Sequence, residues 1–212
     1  MTPVSVLLGV LAAILQLVGY VLYFRAMAAR GIVPNSTSWG LWLFGAIVSL
    51  SVYGSETHDI AKLLLPAVCA VCSIGVVSYA VWKGKVLRPD ATDYLTAVLD
   101  VVVLGVWFVT RPGHAGYTAL LLDTTLTFIP ILRTTWRRPA DEDWLPWTVW
   151  TLAYGCLIVV CVVAWEGVGP ALLPVLYAFL HGAVALCAAR RRVFRFWLAL
   201  RHHRSRWVIP RR

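Results

Sequence analysis

The chain has 212 residues, 60% of them hydrophobic and only 14% charged, with a mean hydropathy of +0.76. That composition excludes a water-soluble globular domain, and the short connections between apolar runs leave no room for a separate soluble catalytic module. The formal net charge of +9 reads as basic loops on one membrane side plus a basic tail on anionic headgroups, not as a nucleic-acid surface.

Seven apolar stretches, at 4–24, 38–54, 63–82, 94–110, 116–132, 144–165 and 168–189, are each long enough for a helix to cross ~30 Å of hydrocarbon. The first carries Gln16 and has neither a basic leader nor a cleavage site, so an uncleaved span is expected. The second follows Pro34 and opens with Trp39 and Trp42. The third holds Pro66, Cys69, Cys72 and Ser73. Its C-x-x-C spacing can mean a redox pair, but inside an apolar helix it reads as two small buried residues. The fourth contains Asp100.

The fifth contains Asp123 beside Thr124, Thr125 and Thr127, which are expected to share its hydrogen bonds, and ends near Pro130. A carboxylate at membrane depth marks a functional site or a structural hydrogen bond. Asp123 is assigned to the site and Asp100 to structure. The acids Asp141, Glu142 and Asp143 follow Arg137 and Arg138, and a salt-bridged loop is expected there. The sixth stretch opens with Trp144, Pro146, Trp147 and Trp150. The seventh carries Pro174 and His181 and has no Lys for a retinal Schiff base. From Arg190 onward, Arg and His alternate with apolar residues, the pattern of an interfacial helix on the cytoplasmic leaflet.

If the N-terminus lies outside, all of the 19 Lys and Arg except Lys62 and Arg111 fall on the inner side. This asymmetry orients the chain with its C-terminus in the cytosol, and it depends on the helix count being seven. Trp82, Trp136, Trp165, Trp197 and Trp207 sit near the expected membrane ends as interfacial anchors. Arg in excess of Lys, with abundant Ala and Val, points to a bacterial cell membrane.

An internal repeat is also legible. Pro34, Trp39 and Trp42 match Pro139, Trp144 and Trp147 at an offset of 105, and Pro66 and Ser73 match Pro174 and His181 at an offset of 108. The expected fold class is therefore an all-α membrane protein with seven transmembrane helices in a 3+1+3 arrangement. Residues 1–82 and 116–189 form two parallel three-helix bundles, 83–115 the linker helix with its loops, and 190–212 the basic amphipathic tail. One extra crossing makes the two units parallel, a transporter design with the solute site between the halves.

This arrangement, with Pro34 five residues before Trp39 and Pro139 five before Trp144, resembles the PQ-loop superfamily. That superfamily includes the sugar-transporting SWEET (MtN3/saliva) proteins, amino-acid exporters and sorting receptors. Ile131 follows Pro130 where the name-giving pair has Gln. The resemblance implies that Ser73 and His181 face each other across a pocket, in place of the two Asn of SWEET proteins. It also implies that Pro130, Pro146 and Pro34 sit at gates. Asp123 and Gln16 complete the candidate solute site, and Trp39, Trp42, Trp147 and Trp150 the candidate inner gate.

No catalytic set, metal site or cofactor motif is present, so no enzyme is expected. The expected function is alternating-access transport of a small polar solute, facilitative or proton-linked through Asp123 or His181. The alternatives are a non-transporting receptor or assembly protein and a Pnu-type vitamin transporter.

Overall fold

The computed structural model describes residues 2–57, 59–83, 89–110 and 114–205. They form seven helices and no strand: α1 (Pro3–Arg30), α2 (Ser36–Glu56), α3 (Ile60–Trp82), α4 (Ala91–Thr110), α5 (His114–Arg137), α6 (Trp144–Val163) and α7 (Gly169–Ser205). Four of them, α1, α3, α6 and the Gly169–Arg190 part of α7, are long and apolar enough to cross a membrane. Lys85, Arg88, Arg111 and the tail from Arg206, with Trp207, lie outside the described residues.

The helix ends follow local chemistry. Thr2 caps α1 by accepting from the Ser5 N–H, Ser5 returns the bond, and Pro3 occupies the first helical position. Gly31, at φ 70°, ends α1 in the left-handed conformation that glycine adopts freely. Asn35, Asp59 and Asp143 cap α2, α3 and α6 by accepting from Ser38, Ala61 and Leu145 N–H groups. Such caps each contribute about 1 kcal/mol.

α7 runs unbroken past Arg190, where its apolar part ends, to Ser205. The physical reason is local: after Gly182 there is no Gly or Pro up to Ser205, and Arg, Ala and Leu favour helix.

α1 packs against α3 and α6, α3 also against α2, and α7 against both α5 and α6, while α2 and α4 each meet α5. The interior of this bundle is small, aromatic and polar, and its perimeter is large and apolar. On α1 the buried stripe is Ser5, Gly9, Ala12, Gln16, Gly19, Tyr20 and Tyr23, whereas Leu7, Val10, Ile14, Val18 and Val21 are exposed. Small residues on the packed face and large ones outward characterise helices that associate in lipid. Trp82, Trp136 and Trp165 are exposed, with Lys83 over the Trp82 ring and Arg190 over the Trp136 ring.

Two cross-ties join helix ends. At one end Lys62, expected as an outer-side loop charge, is instead fully buried in the first turn of α3. Its Nζ donates to Glu166 Oε2 at 2.7 Å and to the Ala164 carbonyl at 2.6 Å, and Thr57 donates to the same Glu166 oxygen. A buried ammonium needs such partners, which the α6–α7 turn supplies. At the other end Arg30 of α1 pairs with Asp143 before α6.

The glycines of α1 set how closely the helices approach. A Cβ at Gly9 would lie 2.5 Å from the Ala61 carbonyl oxygen, a backbone atom that cannot rotate away, while nothing lies within 4 Å of one at Gly155. Gly9→Val is expected to destabilise the protein by about 1–3 kcal/mol through overpacking. Gly155→Ala should be neutral or stabilise by up to ~1 kcal/mol. Thermal melts of the two purified variants in detergent check both.

Candidate functional site

A small cavity of about 30 Å³ lies in the centre of the helices, lined by Tyr20, Trp39, Trp42, Ala46, Cys69, Ser73, Trp150, Tyr154, Tyr177 and His181. It is large enough for roughly two water molecules. Ser73 on α3 and His181 on α7 therefore border one space. Ser73 Oγ lies 2.9 Å from the Tyr20 hydroxyl, which also donates to the Cys69 carbonyl at 3.3 Å. His181 Nδ1 lies 2.8 Å from the Tyr177 carbonyl on its own helix. A carbonyl only accepts, so Nδ1 carries the proton and Nε2 of the neutral ring remains an acceptor. The imidazole is enclosed by rings, with Phe128 and Tyr154 centred 5.0 Å away and Trp147 at 5.4 Å.

A second cavity of about 30 Å³ continues toward Pro66 and Pro174 and shares Ala46, Cys69, Tyr154 and Tyr177 with the first. Both prolines lie inside helices and remove one ladder hydrogen bond each. On α7 the freed acceptor is the Pro170 carbonyl, and Cys161 Sγ lies 3.5 Å from it. Pro130 interrupts α5 in the same way, and the next N–H, of Ile131, donates to Ser38 Oγ on α2 at 3.1 Å. Pro34 is buried in the α1–α2 turn and Pro146 in the first turn of α6.

Away from Pro66 and Pro174 the cavity ends on an aromatic layer. Trp39, Trp42, Trp147 and Trp150 all belong to it, together with Tyr20, Tyr23 and Phe128. Ring centroids are 5.0 Å apart for Trp39–Trp42, Tyr23–Trp39 and Trp147–Trp150, and 4.7 Å for Trp42–Phe128. The indole N–H groups are all engaged. Trp39 donates to the Tyr23 hydroxyl, Trp42 to Thr127 Oγ1, Trp147 to Glu142 and Trp150 to the Gln16 carbonyl.

Glu142 closes this layer, which differs from the loop expected from the sequence. It is buried, accepting from the Tyr23 hydroxyl at 3.1 Å and the Trp147 indole at 2.9 Å, while Asp143 pairs with Arg30 and not with Arg137 or Arg138. The turn into α6 points these acids under α1, away from their sequence neighbours. Burial pushes the Glu142 carboxyl up to about 8, the donors from Trp147 and Tyr23 oppose the shift, and Asp143 and Asp141 add to it.

Asp123 does not border the central cavity. It lies beside Asp100 on α4, and Asp123 Oδ1 and both Asp100 carboxyl oxygens are buried with no hydrogen-bond partner. Its Oδ2 lies 3.4 Å from where a Cβ on Gly45 of α2 would sit. The threonines expected to serve it bond elsewhere, Thr125 to the Leu121 carbonyl and Thr127 to the Thr124 carbonyl, while Thr124 Oγ1 makes no hydrogen bond. On α5 their hydroxyls fold back on their own helix, as threonine does at i−3 and i−4. Gln16 is buried beside Cys69, and its Oε1 has no hydrogen-bond partner.

Sequence reasoning missed Tyr20, Tyr154 and Tyr177 as lining residues and Asp100 as the partner of Asp123. A signal for the carboxyl pair existed: Asp100 lies ten residues before the end of α4 at Thr110, and Asp123 nine after the start of α5 at His114. Equal depth on consecutive antiparallel helices brings such residues level.

The raised Glu142 carboxyl links stability to pH. An acid that ionises more readily unfolded than folded costs the folded state stability as pH rises from its ordinary value of 4.5 to about 8, and nothing further above that. Glu142→Gln keeps an acceptor for Trp147 and should flatten the fall in melting temperature between pH 5 and 8. An equal slope in both proteins would contradict this.

Compared with known proteins, the chain matches no family model, no curated protein and no solved structure.

Proposed function

We propose that the chain is a PQ-loop/SWEET-like membrane protein that carries a small polar solute through the central cavity by alternating access. In this reading α1–α3 and α5–α7 are two three-helix units and α4 is the linker. The single observation that carries it is that Ser73 and His181 line one cavity between the two units.

The packing order supports it. In each unit the third helix lies between the other two, α3 touching α1 and α2, and α7 touching α5 and α6. One repeat register, 108, serves better than two. It relates the caps Asn35 and Asp143, the prolines Pro66 and Pro174, and Ser73 and His181. It pairs Trp39 with Trp147 and Trp42 with Trp150, all four in the aromatic layer, which Trp144 does not join. The offset of 105 is given up, because a helix start sets the register and the caps are 108 apart.

Transport then requires the layer of Trp39, Trp147 and Tyr23, latched by Glu142, to open on the side of the Arg30–Asp143 pair. That side is cytosolic in the positive-inside orientation. His181 Nε2 and the Ser73–Tyr20 hydroxyl pair supply the acceptors and donors for the solute. A second reading, a receptor or assembly protein that does not transport, is favoured by the cavity volume of only about 30 Å³.

Screening purified protein for thermal stabilisation by sugars, amino acids and vitamins tests the site, since a bound ligand raises Tm by mass action. His181→Ala should weaken the best ligand roughly 10-fold or more, the effect of one lost buried hydrogen bond, while Asp100→Ala should change its affinity little. Equal losses, or no stabilising solute, would count against this site. Orientation is tested separately, with Ser55→Cys and Ala140→Cys placed in a cysteine-free background. An impermeant maleimide should label the first and not the second in intact cells, and the reverse pattern would invert the topology.

A further inference from the structure

Where α4 starts and α5 ends there is a much larger cavity, of about 240 Å³, bordered by Asn35, Asp90, Asp93, Arg133, Thr134, Arg137, Arg138 and Asp141. Arg133 and Asp90 pair with each other across its wall. Arg137 and Arg138 are exposed and belong to none of the ion pairs among the described residues. Both border the cavity, and guanidinium groups are the planar donors that suit phosphate.

The lining also carries acids. Asp93 is only 5% exposed; its Oδ2 accepts from the Asp90 N–H at 2.9 Å, while its Oδ1 is buried with no hydrogen-bond partner. A buried carboxylate oxygen without a donor is costly, and native structures rarely leave one so. Asp141 is a third acid in the lining, with Asp90 and Asp93. Beside this end of α5, the exposed Trp136 ring carries Arg190 over its face, the arrangement of a residue at headgroup level.

We propose that this cavity binds a zwitterion carrying a phosphate and a primary ammonium, the chemistry of ethanolamine phosphate, with the phosphate on Arg137 and Arg138 and the ammonium toward Asp93. The alternation of free guanidinium and unpartnered carboxylate selects both charges together. A purely anionic group leaves Asp93 unmet, and a quaternary ammonium has no N–H to give its oxygen. The same chemistry comes either from a lipid headgroup or from soluble phosphoethanolamine. The inference does not depend on transport through the central cavity.

The test uses the full-length protein in a neutral detergent, with lipid retention read by native mass spectrometry and Tm read in parallel. The probes are phosphatidylethanolamine, phosphatidylglycerol, phosphatidylcholine and soluble O-phosphoethanolamine. Phosphatidylethanolamine or the soluble probe should bind at least 10-fold tighter than phosphatidylglycerol or phosphatidylcholine. Binding by the lipid alone identifies a headgroup site, and comparable binding of the soluble compound identifies a metabolite site; both support the assignment. The exposed double variant R137Q/R138Q should lose at least 10-fold in affinity. Asp93→Asn, which keeps an acceptor for the Asp90 N–H, should erase the preference for ethanolamine over glycerol. Equal binding of the ethanolamine and glycerol lipids to the unmodified protein, or unchanged affinity in R137Q/R138Q, would overturn the proposal.

Discussion

The close approach of α6 to the α1 backbone at Gly19 is the constraint on which the centre of this molecule depends. A Cβ on residue 19 would stand 2.2 Å from the Trp150 indole nitrogen, so only glycine lets that indole reach the Gln16 carbonyl at 3.1 Å. Once it does, Tyr20 and Tyr23 are carried into the middle of the bundle, their rings centred 5.0 and 5.7 Å from that of Trp150. Gly9 does the same against Ala61 nearer the other end of α1. Close backbone contact replaces bulky apolar packing here because the large side chains of α1 face outward.

From that contact two layers follow. One is the cavity, where Ser73 and His181 are held by short bonds to a tyrosine hydroxyl and to the histidine's own helix. The other is the aromatic floor, whose four indoles each donate to a fixed acceptor. Each satisfied N–H removes a cost that an indole would otherwise carry into a low-dielectric interior. The floor is therefore rigid as long as Glu142 and Tyr23 stay in place. A buried acid that accepts from both Tyr23 and Trp147 makes that end of the molecule responsive to pH.

The charged groups divide by function in the same physical terms. Lys62 and Arg30 tie helix ends through Glu166 and Asp143. Asp100 and Asp123 have no described cation and face each other. Arg137 and Arg138 belong to no described ion pair, and Asp93 Oδ1 has no hydrogen-bond partner, around a cavity wide enough to accept something from outside.

The sequence by itself determined the seven helices, because each apolar run is long enough to form one, and Thr2, Gly31, Asn35, Asp59 and Asp143 cap or stop four of them locally. It also singled out Ser73 and His181 together, and the two border one cavity. What it did not determine was direction around each helix and contact between helices. Asp123 is one turn from Thr127, yet it faces α4 while Thr127 accepts from Trp42. Glu142 follows two arginines in sequence but bonds to α1 and α6. Those choices are made when helices dock, because an apolar run has almost no periodic pattern to fix which face turns inward. Only the tertiary structure, through the glycines that let α1 approach its neighbours, decided them.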